Sequence, residues 1–118
     1  MTGFSMLALA LTLGAQEPRC DAQTFAAMYQ CAVDRYRRAH ADHQRAFRAA
    51  SARLEPEPRR KLRAADELWE RFREAECDFR SSLSAGRREY QVVRLRCLAE
   101  LTEGRTATLR TDSAKGEG

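Results

Sequence analysis

Apolar residues recur at steps of three and four over most of the chain after residue 24, with no strand-like alternation. This spacing places side chains on one face of a helix. Thr24 is a predicted N-cap, since its hydroxyl suits the first turn of a helix. The chain therefore predicts an all-α fold that opens with one long helix. Its apolar face is formed by Phe25, Met28, Ala32, Tyr36, Ala39, His43, Phe47, Ala50 and Leu54.

Two breaks divide the rest of the pattern. The sequence EPEP at residues 55–58 ends the first helix, and prolines with acidic neighbours also suit the start of the next. We predict a second helix over about 59–80, a small-residue turn at 81–86 and a third helix over about 88–110. The faces expected to be buried are Leu62, Ala65, Trp69, Phe72 and Phe79, and then Tyr90, Val93, Cys97, Leu101 and Leu109. The polar tail of residues 111–118 is predicted to be disordered.

Four cysteines, Cys20, Cys31, Cys77 and Cys97, predict two disulfides in a short exported chain. No two of them form a C-x-x-C pair. A four-thiolate zinc site normally includes such a pair, so we expect no zinc site. Cys31 would lie about 10 Å along a helix that starts at Thr24, and the residues back to Cys20 can span about 13 Å. This geometry favours Cys20–Cys31 and Cys77–Cys97, although a cap at Asp21 would make the first bridge impossible.

The apolar stripes are too thin to stabilise a domain of this size alone, and cross-links compensate. The prediction is a small, disulfide-stapled, three-helix up-down-up bundle over residues 20–110.

The first fifteen residues carry no charge. Residues 4–13 have the length of a signal-peptide core and are too short to span a bilayer. We predict a signal peptide at residues 1–15, with cleavage after Gly14 or Ala15; the alternative is a buried N-terminal helix. Glu17-Pro18-Arg19 before Cys20 is not a lipoprotein signal. The predicted location is periplasmic or secreted, without a membrane span.

Charged residues make up 32% of the chain and the net charge is +4. Arginine alternates with Glu and Asp, which is typical of solvated helix faces. Without a basic run and interleaved aromatics on one face, we expect no nucleic-acid partner. The sequence has no glycine-rich phosphate loop, no nucleophile beside a base and no isolated carboxylate pair. We therefore predict a protein without enzymatic activity or cofactor.

The least generic stretch is LWERFREAEC, residues 68–77. Trp69, Arg73 and Cys77 are spaced four residues apart and share one side of a helix. We expect Trp69 to anchor the core and Cys77 to bridge to Cys97. Arg73 should stack on the indole or pair with a carboxylate from a neighbouring helix. We interpret the three as structural.

Thr102 and Arg105 lie on the third helix. The Thr102 hydroxyl is expected to bond back to a backbone carbonyl, and Arg105 to pair with a carboxylate on helix one or two. The alternative is a polar patch of Arg73, Thr102 and Arg105 that binds an acidic ligand.

His40 and His43 are helical neighbours that could bind a metal or titrate together. A metal site needs at least one more ligand, and no adjacent sequence supplies it. We expect two partly exposed histidines and no metal.

These residues match a family pattern. Trp69, Phe72, Arg73, Ala75 and Cys77, followed by CLAELT at 97–102 with Arg105 and Leu109, resemble the lysozyme-inhibitor LprI-like N-terminal domain family. Upstream, the elements that fit the same pattern are Cys20, Thr24, Cys31, Leu62, Arg63 and Ala65. The first helix departs from the pattern at His40, His43, Gln44 and Phe47.

The resemblance implies an exported bacterial helical domain that inhibits a c-type lysozyme or contacts another envelope protein. Such lysozymes are strongly basic, so a local acidic patch is needed on a chain of positive net charge. The candidates on the second helix are Glu67, Glu70, Glu74 and Glu76. The alternative function is a structural or envelope-binding module whose arginines contact anionic cell-envelope polymers.

Overall fold

The computed structural model describes Gly3 and residues 24–115, and over these residues the chain forms three α-helices and no strand. They are α1 (Phe25–Ala52), α2 (Pro56–Ser82) and α3 (Tyr90–Lys115). The all-α, three-helix prediction is confirmed. The predicted signal peptide, Cys20 and residues 116–118 lie outside the described residues. Within residues 24–115 no helix combines the length and apolar character that crossing a membrane requires.

The helix ends follow local chemistry. Thr24 caps α1 as predicted, since its Oγ1 accepts a hydrogen bond of 3.2 Å from the backbone N–H of Ala27. Pro56 opens α2, so this helix starts three residues before the predicted point. Its fixed φ and missing N–H suit a first helical position. Arg59 then donates to the carbonyls of Ser51 (3.0 Å) and Leu54 (2.8 Å), which satisfies the free end of α1.

The third helix extends further than the sequence predicts. Residues 111–115, where a disordered tail is predicted, are helical. The Thr111 hydroxyl donates to the carbonyl of Ala107 at 3.0 Å, and Leu109 is buried. Ala50, Leu54, Leu109 and Ser113 line one small cleft. The last turns of α3 are therefore ordered by packing beside the end of α1, which composition alone does not reveal.

Helix α3 packs against both other helices. Arg35 of α1 donates to both carboxylate oxygens of Glu103 at 2.8 and 2.9 Å, and these hydrogen bonds raise the pKa of Arg35 above its usual value. The Arg88 guanidinium lies 4.4 Å from the Phe25 ring centroid. Phe25 at the start of α1 thus lies beside Arg88 just before α3, and Arg35 further along α1 meets Glu103 further along α3, so these two helices are parallel.

Helix α2 runs antiparallel to α3. Cys77 near its end is bonded to Cys97, and Asp66 in its first half meets Arg105. The up-down-up arrangement is therefore confirmed.

The core between α1 and α3 is built from small residues. On α1 the buried apolar positions are Cys31, Ala32, Ala39, Ala46 and Ala50. They face Val92, Cys97, Leu98, Ala99 and Leu109 of α3. Alanine at the contact lets the helices approach closely, but each buried alanine removes little apolar area from water. A core of this kind fits the predicted need for cross-links.

Helix α2 buries its polar face. Asp66, Arg73, Cys77 and Ser81 are the buried positions, while Phe72 and Phe79 are 56% and 59% exposed. Ala65 is exposed as well. The prediction that Ala65, Phe72 and Phe79 face the core is therefore wrong. The cause is the Cys77–Cys97 bond, which turns Cys77 and Arg73 inward. Phe72 and Phe79 lie well over 90° around the helix from that face, at about 100° per residue.

Candidate functional site

Trp69, Arg73 and Cys77, which the sequence predicts to be structural, lie on the side of α2 that faces the other helices. Cys77 and Cys97 are disulfide-bonded with a Cα–Cα distance of 5.6 Å, which confirms the favoured pairing. The described residues contain no free cysteine. Cys31 is also disulfide-bonded, and its predicted partner Cys20 lies outside the described residues. Trp69 is half-buried rather than fully buried, so it borders the core instead of filling it.

Arg73 is a buried cation held between two aromatic rings. Its guanidinium carbon lies 5.1 Å from the Trp69 ring centroid and 5.8 Å from that of Tyr36 on α1. Nη1 donates to Thr102 Oγ1 at 3.3 Å, and Nη2 donates to Glu74 Oε1 at 3.0 Å. The predicted stacking on the indole is present, and the paired carboxylate belongs to the same helix. The planar guanidinium suits contact with aromatic rings in a way that an ammonium group would not.

Thr102 and Arg105 are engaged as the sequence predicts. The Thr102 hydroxyl donates to the carbonyl of Leu98 at 2.6 Å, and Arg105 Nε donates to Asp66 Oδ1 at 3.1 Å. Thr102 is fully buried and the Arg105 side chain is only 16% exposed. Arg73, Thr102 and Arg105 thus have partners inside the bundle, although the buried Nε of Arg73 has none among the described residues. This geometry favours the structural interpretation over the acidic-ligand patch.

A second buried polar contact joins α1 to α2. His43, predicted to be partly exposed, is 3% exposed, and its Nε2 lies 3.0 Å from Oδ1 of the buried Asp66. A carboxylate accepts hydrogen bonds, so this contact places the ring proton on Nε2. Nδ1 then has no hydrogen-bond partner among the residues that the structure describes. The imidazole also lies 5.0 Å from the Trp69 ring. Asp66 therefore connects all three helices through His43 and Arg105.

The sequence does not reveal the groups around His43. Asp66 and Glu70 bring carboxylate oxygens within 4.8 Å of each other and of a His43 nitrogen. The ligand types that a metal site would need are therefore nearby, although no adjacent sequence supplies them. Arg105 already donates to the Asp66 oxygen that faces His43. Because a cation would compete with that guanidinium, we interpret the cluster as a charge-compensated contact.

A groove of about 330 Å³ opens beside this contact, between α1 and α2. Arg48 and Arg63 lie at one end of the groove, while Glu67 and Glu70 lie further along α2. The two glutamates are exposed and form no ion pair with any described residue. The groove therefore has a basic end and an acidic end. Its α1 wall contains His40, His43, Gln44 and Phe47, the four positions at which this chain departs from the family pattern.

The four predicted glutamates do not form one patch. Glu67, Glu70 and Glu74 follow one edge of α2, but Glu74 is paired with Arg73 at 3.0 Å and with Arg94 at 2.8 Å. Glu76 lies on the other edge and pairs with Arg80 at 3.2 Å. Of these four, only Glu67 and Glu70 form no ion pair with a described residue, and we call these two the acidic edge.

Comparison with known families gives one match. The model of the family "Lysozyme inhibitor LprI" matches residues 17–109, which is most of the chain. The matched range includes every predicted disulfide cysteine, the Trp69–Cys77 stretch and the groove. The chain matches no curated protein and no solved structure.

Proposed function

This chain belongs to the lysozyme inhibitor LprI family, and we propose that it is an exported, non-enzymatic inhibitor of a c-type lysozyme that uses the acidic edge of α2. The family implies inhibition of lysozyme but does not identify the surface that binds it. We choose this surface because two exposed glutamates, Glu67 and Glu70, lie beside the α1–α2 groove.

Electrostatics explains why these two glutamates matter. Both partners are positive overall, since this chain carries a net charge of +4 and c-type lysozymes are strongly basic. Long-range repulsion slows association, and a local patch of opposite sign is needed to orient the encounter. Glu74, Glu76 and Asp66 are neutralised by arginines within the bundle. Glu67 and Glu70 keep their full charge available for a basic partner.

Rigidity also supports this edge as a binding surface. Asp66, one residue before Glu67, is fixed by His43 and Arg105. Trp69, one residue before Glu70, packs against His43 and Arg73. Side chains on a helix that is fixed from its buried side lose less conformational freedom on binding. The buried family-pattern residues would thus hold the acidic edge in position rather than contact lysozyme themselves.

The test is lysis of a bacterial cell-wall suspension by a c-type lysozyme at low salt, followed by turbidity. Addition of the purified protein at micromolar excess is expected to slow clearing, and added salt should weaken this inhibition because exposed charge contacts are screened. Clearing at the uninhibited rate, at every excess tested, would remove the proposal.

The alternative, an envelope-binding module, rests on a different observation. Exposed arginines such as Arg37, Arg38, Arg48 and Arg110 form no ion pair with the described residues. Retention of the protein on isolated cell envelopes that disappears as salt is added would support contacts with anionic polymers. Such retention without any inhibition of lysozyme would favour this alternative over the inhibitor.

A further inference from the structure

The outward face of α2 carries an apolar stripe that no described residue covers. Leu68, Phe72, Phe79 and Leu83 are 65%, 56%, 59% and 72% exposed. They account for all but one of the large exposed hydrophobic residues in the described chain; the other is Tyr29. Together with the exposed Ala65 and Ala75, these residues form what we call the outer stripe.

The spacing of the outer stripe is that of a helix–helix contact. Positions 65, 68, 72, 75 and 79 alternate steps of three and four, and this repeat of about 3.5 residues keeps a seam facing a partner helix. The stripe lies opposite Asp66, Arg73 and Cys77, which face α1 and α3. Helix α2 therefore presents a polar face to its own bundle and an apolar seam to the solvent.

We propose that the outer stripe is the contact surface of a homodimer, in which the α2 helices of two copies pair antiparallel about a two-fold axis near residue 74. Under this symmetry Phe72 of one copy faces Ala75 of the other, so a large side chain meets a small one. The same operation places Leu68 opposite Phe79, and it places Ala65 within one residue of the position opposite Leu83. A two-fold contact requires a surface that complements itself in this way.

Charge at the edge of the stripe supports a second copy over an unrelated partner. Arg71 and Asp78 lie on the same edge of α2 and on opposite sides of the proposed axis, about 4 Å and about 7 Å from it at about 1.5 Å per residue. The two-fold operation places Arg71 of each copy beside Asp78 of the other. Arg71 is exposed and makes no ion pair with any described residue. Asp78, although 3.3 Å from Arg94, keeps a side chain 67% exposed and can accept a second donor.

The size of the stripe predicts a weak dimer. It extends from residue 65 of α2 to Leu83, the residue that caps this helix, or about 28 Å at about 1.5 Å per residue. One helix from each copy over that length buries on the order of 1,000 Å² in total, near the lower limit for a specific interface. Dimerisation is therefore expected in the micromolar range. This inference does not depend on lysozyme inhibition.

Sedimentation equilibrium of the intact protein, over concentrations from about 1 µM to about 1 mM, tests the proposal in the range expected for such an interface. The mass should rise from one copy towards two. Phe72→Glu should raise the dissociation constant at least tenfold. Tyr29→Glu, at the exposed hydrophobic position outside the stripe, should leave it unchanged. A monomer at every concentration, or an undiminished dimer with Phe72→Glu, would overturn the proposal.

A charge exchange then tests the antiparallel register. Arg71→Asp and Asp78→Arg should each weaken the dimer, whereas the double variant, which recreates the pair with reversed signs, should recover most of the lost affinity. Thermal melts of the dilute monomers identify any variant that unfolds. A double variant weaker than either single variant would contradict the proposed register.

Discussion

The buried Arg73 guanidinium contacts two aromatic rings, Trp69 on its own helix and Tyr36 on α1. The sequence predicts that Arg73 stacks on Trp69, because residues four apart on a helix are neighbours. It does not predict that Tyr36, which lies on another helix, supplies a second ring. Trp69 also lies between His43 and Arg73 rather than deep in the core. Its contribution therefore combines partial burial with two stacking contacts.

Trp69→Ala should destabilise the domain by about 2–4 kcal/mol, toward the lower part of the range for aromatic-to-alanine changes, because the indole is half-buried. The change would also remove one ring from the Arg73 guanidinium. Urea denaturation followed by circular dichroism measures the effect. Tyr29→Ala, at an exposed position of α1, should change the free energy of unfolding by about 0.5 kcal/mol or less. Equal effects of the two changes would show that the indole is not a core contact.

The Asp66 contact could not be predicted from residue spacing. His43, Asp66 and Arg105 are far apart in sequence and meet only because α2 is antiparallel to both other helices. A polar residue on a helix is usually solvated, and the sequence has many such carboxylates. The burial of Asp66 reflects its two partners on different helices, and one sequence does not identify those partners.

Asp66→Asn should cost about 2–3 kcal/mol, since it leaves the Arg105 charge partly buried without a carboxylate. Adding Arg105→Gln to Asp66→Asn should cost less than the sum of the two single changes, with a coupling of about 1–2 kcal/mol. Denaturation of the four proteins completes the cycle, and Asp112→Asn at an exposed position is the control. Strict additivity of the two changes would mean that this ion pair does not stabilise the fold.

At the scale of the helices, the sequence correctly predicts the three helices and their order along the chain. It predicts incorrectly which face of α2 is turned toward the bundle. Proline marks a boundary through its fixed backbone and Thr24 through its side-chain hydroxyl, and both effects are local. The face of a helix that becomes buried is the one that makes the more favourable contacts with the rest of the fold. On α2 the apolar outer stripe follows a helical repeat as regular as a core face would. The disulfide and the buried polar contacts decide which side turns inward, and these are tertiary interactions.

Removing the Cys77–Cys97 bond tests how strongly it fixes α2. Replacing both cysteines with alanine should reduce stability by about 3 kcal/mol, the chain-entropy value for a loop of this length. The sequence separation is 20 residues. Denaturation under non-reducing conditions measures the loss while the other disulfide stays intact. An unchanged free energy of unfolding would show that α2 is held to α3 by packing and ion pairs alone.

For the whole molecule, the residues that hold the bundle together differ from the residues that we propose bind lysozyme. The buried family-pattern residues, Arg73, Cys77, Thr102 and Arg105, contact one another or their neighbouring helices. The acidic edge, Glu67 and Glu70, forms no ion pair with the described residues. The sequence predicts four candidate glutamates. In the structure arginines neutralise Glu74 and Glu76, which leaves Glu67 and Glu70 as the candidates. Ion pairing between helices depends on the fold and could not be predicted beforehand.

The most direct test of this account is the concentration of protein that halves lysozyme activity, measured for two variants with the same net charge. Glu67→Gln/Glu70→Gln removes the acidic edge. Glu55→Gln/Glu89→Gln removes two exposed glutamates elsewhere that also lack ion pairs with described residues. We predict a rise of about tenfold or more for the first variant, equivalent to about 1.4 kcal/mol, and less than about twofold for the second. Equal losses in both variants would contradict the account, because inhibition would then depend on overall charge rather than on the acidic edge.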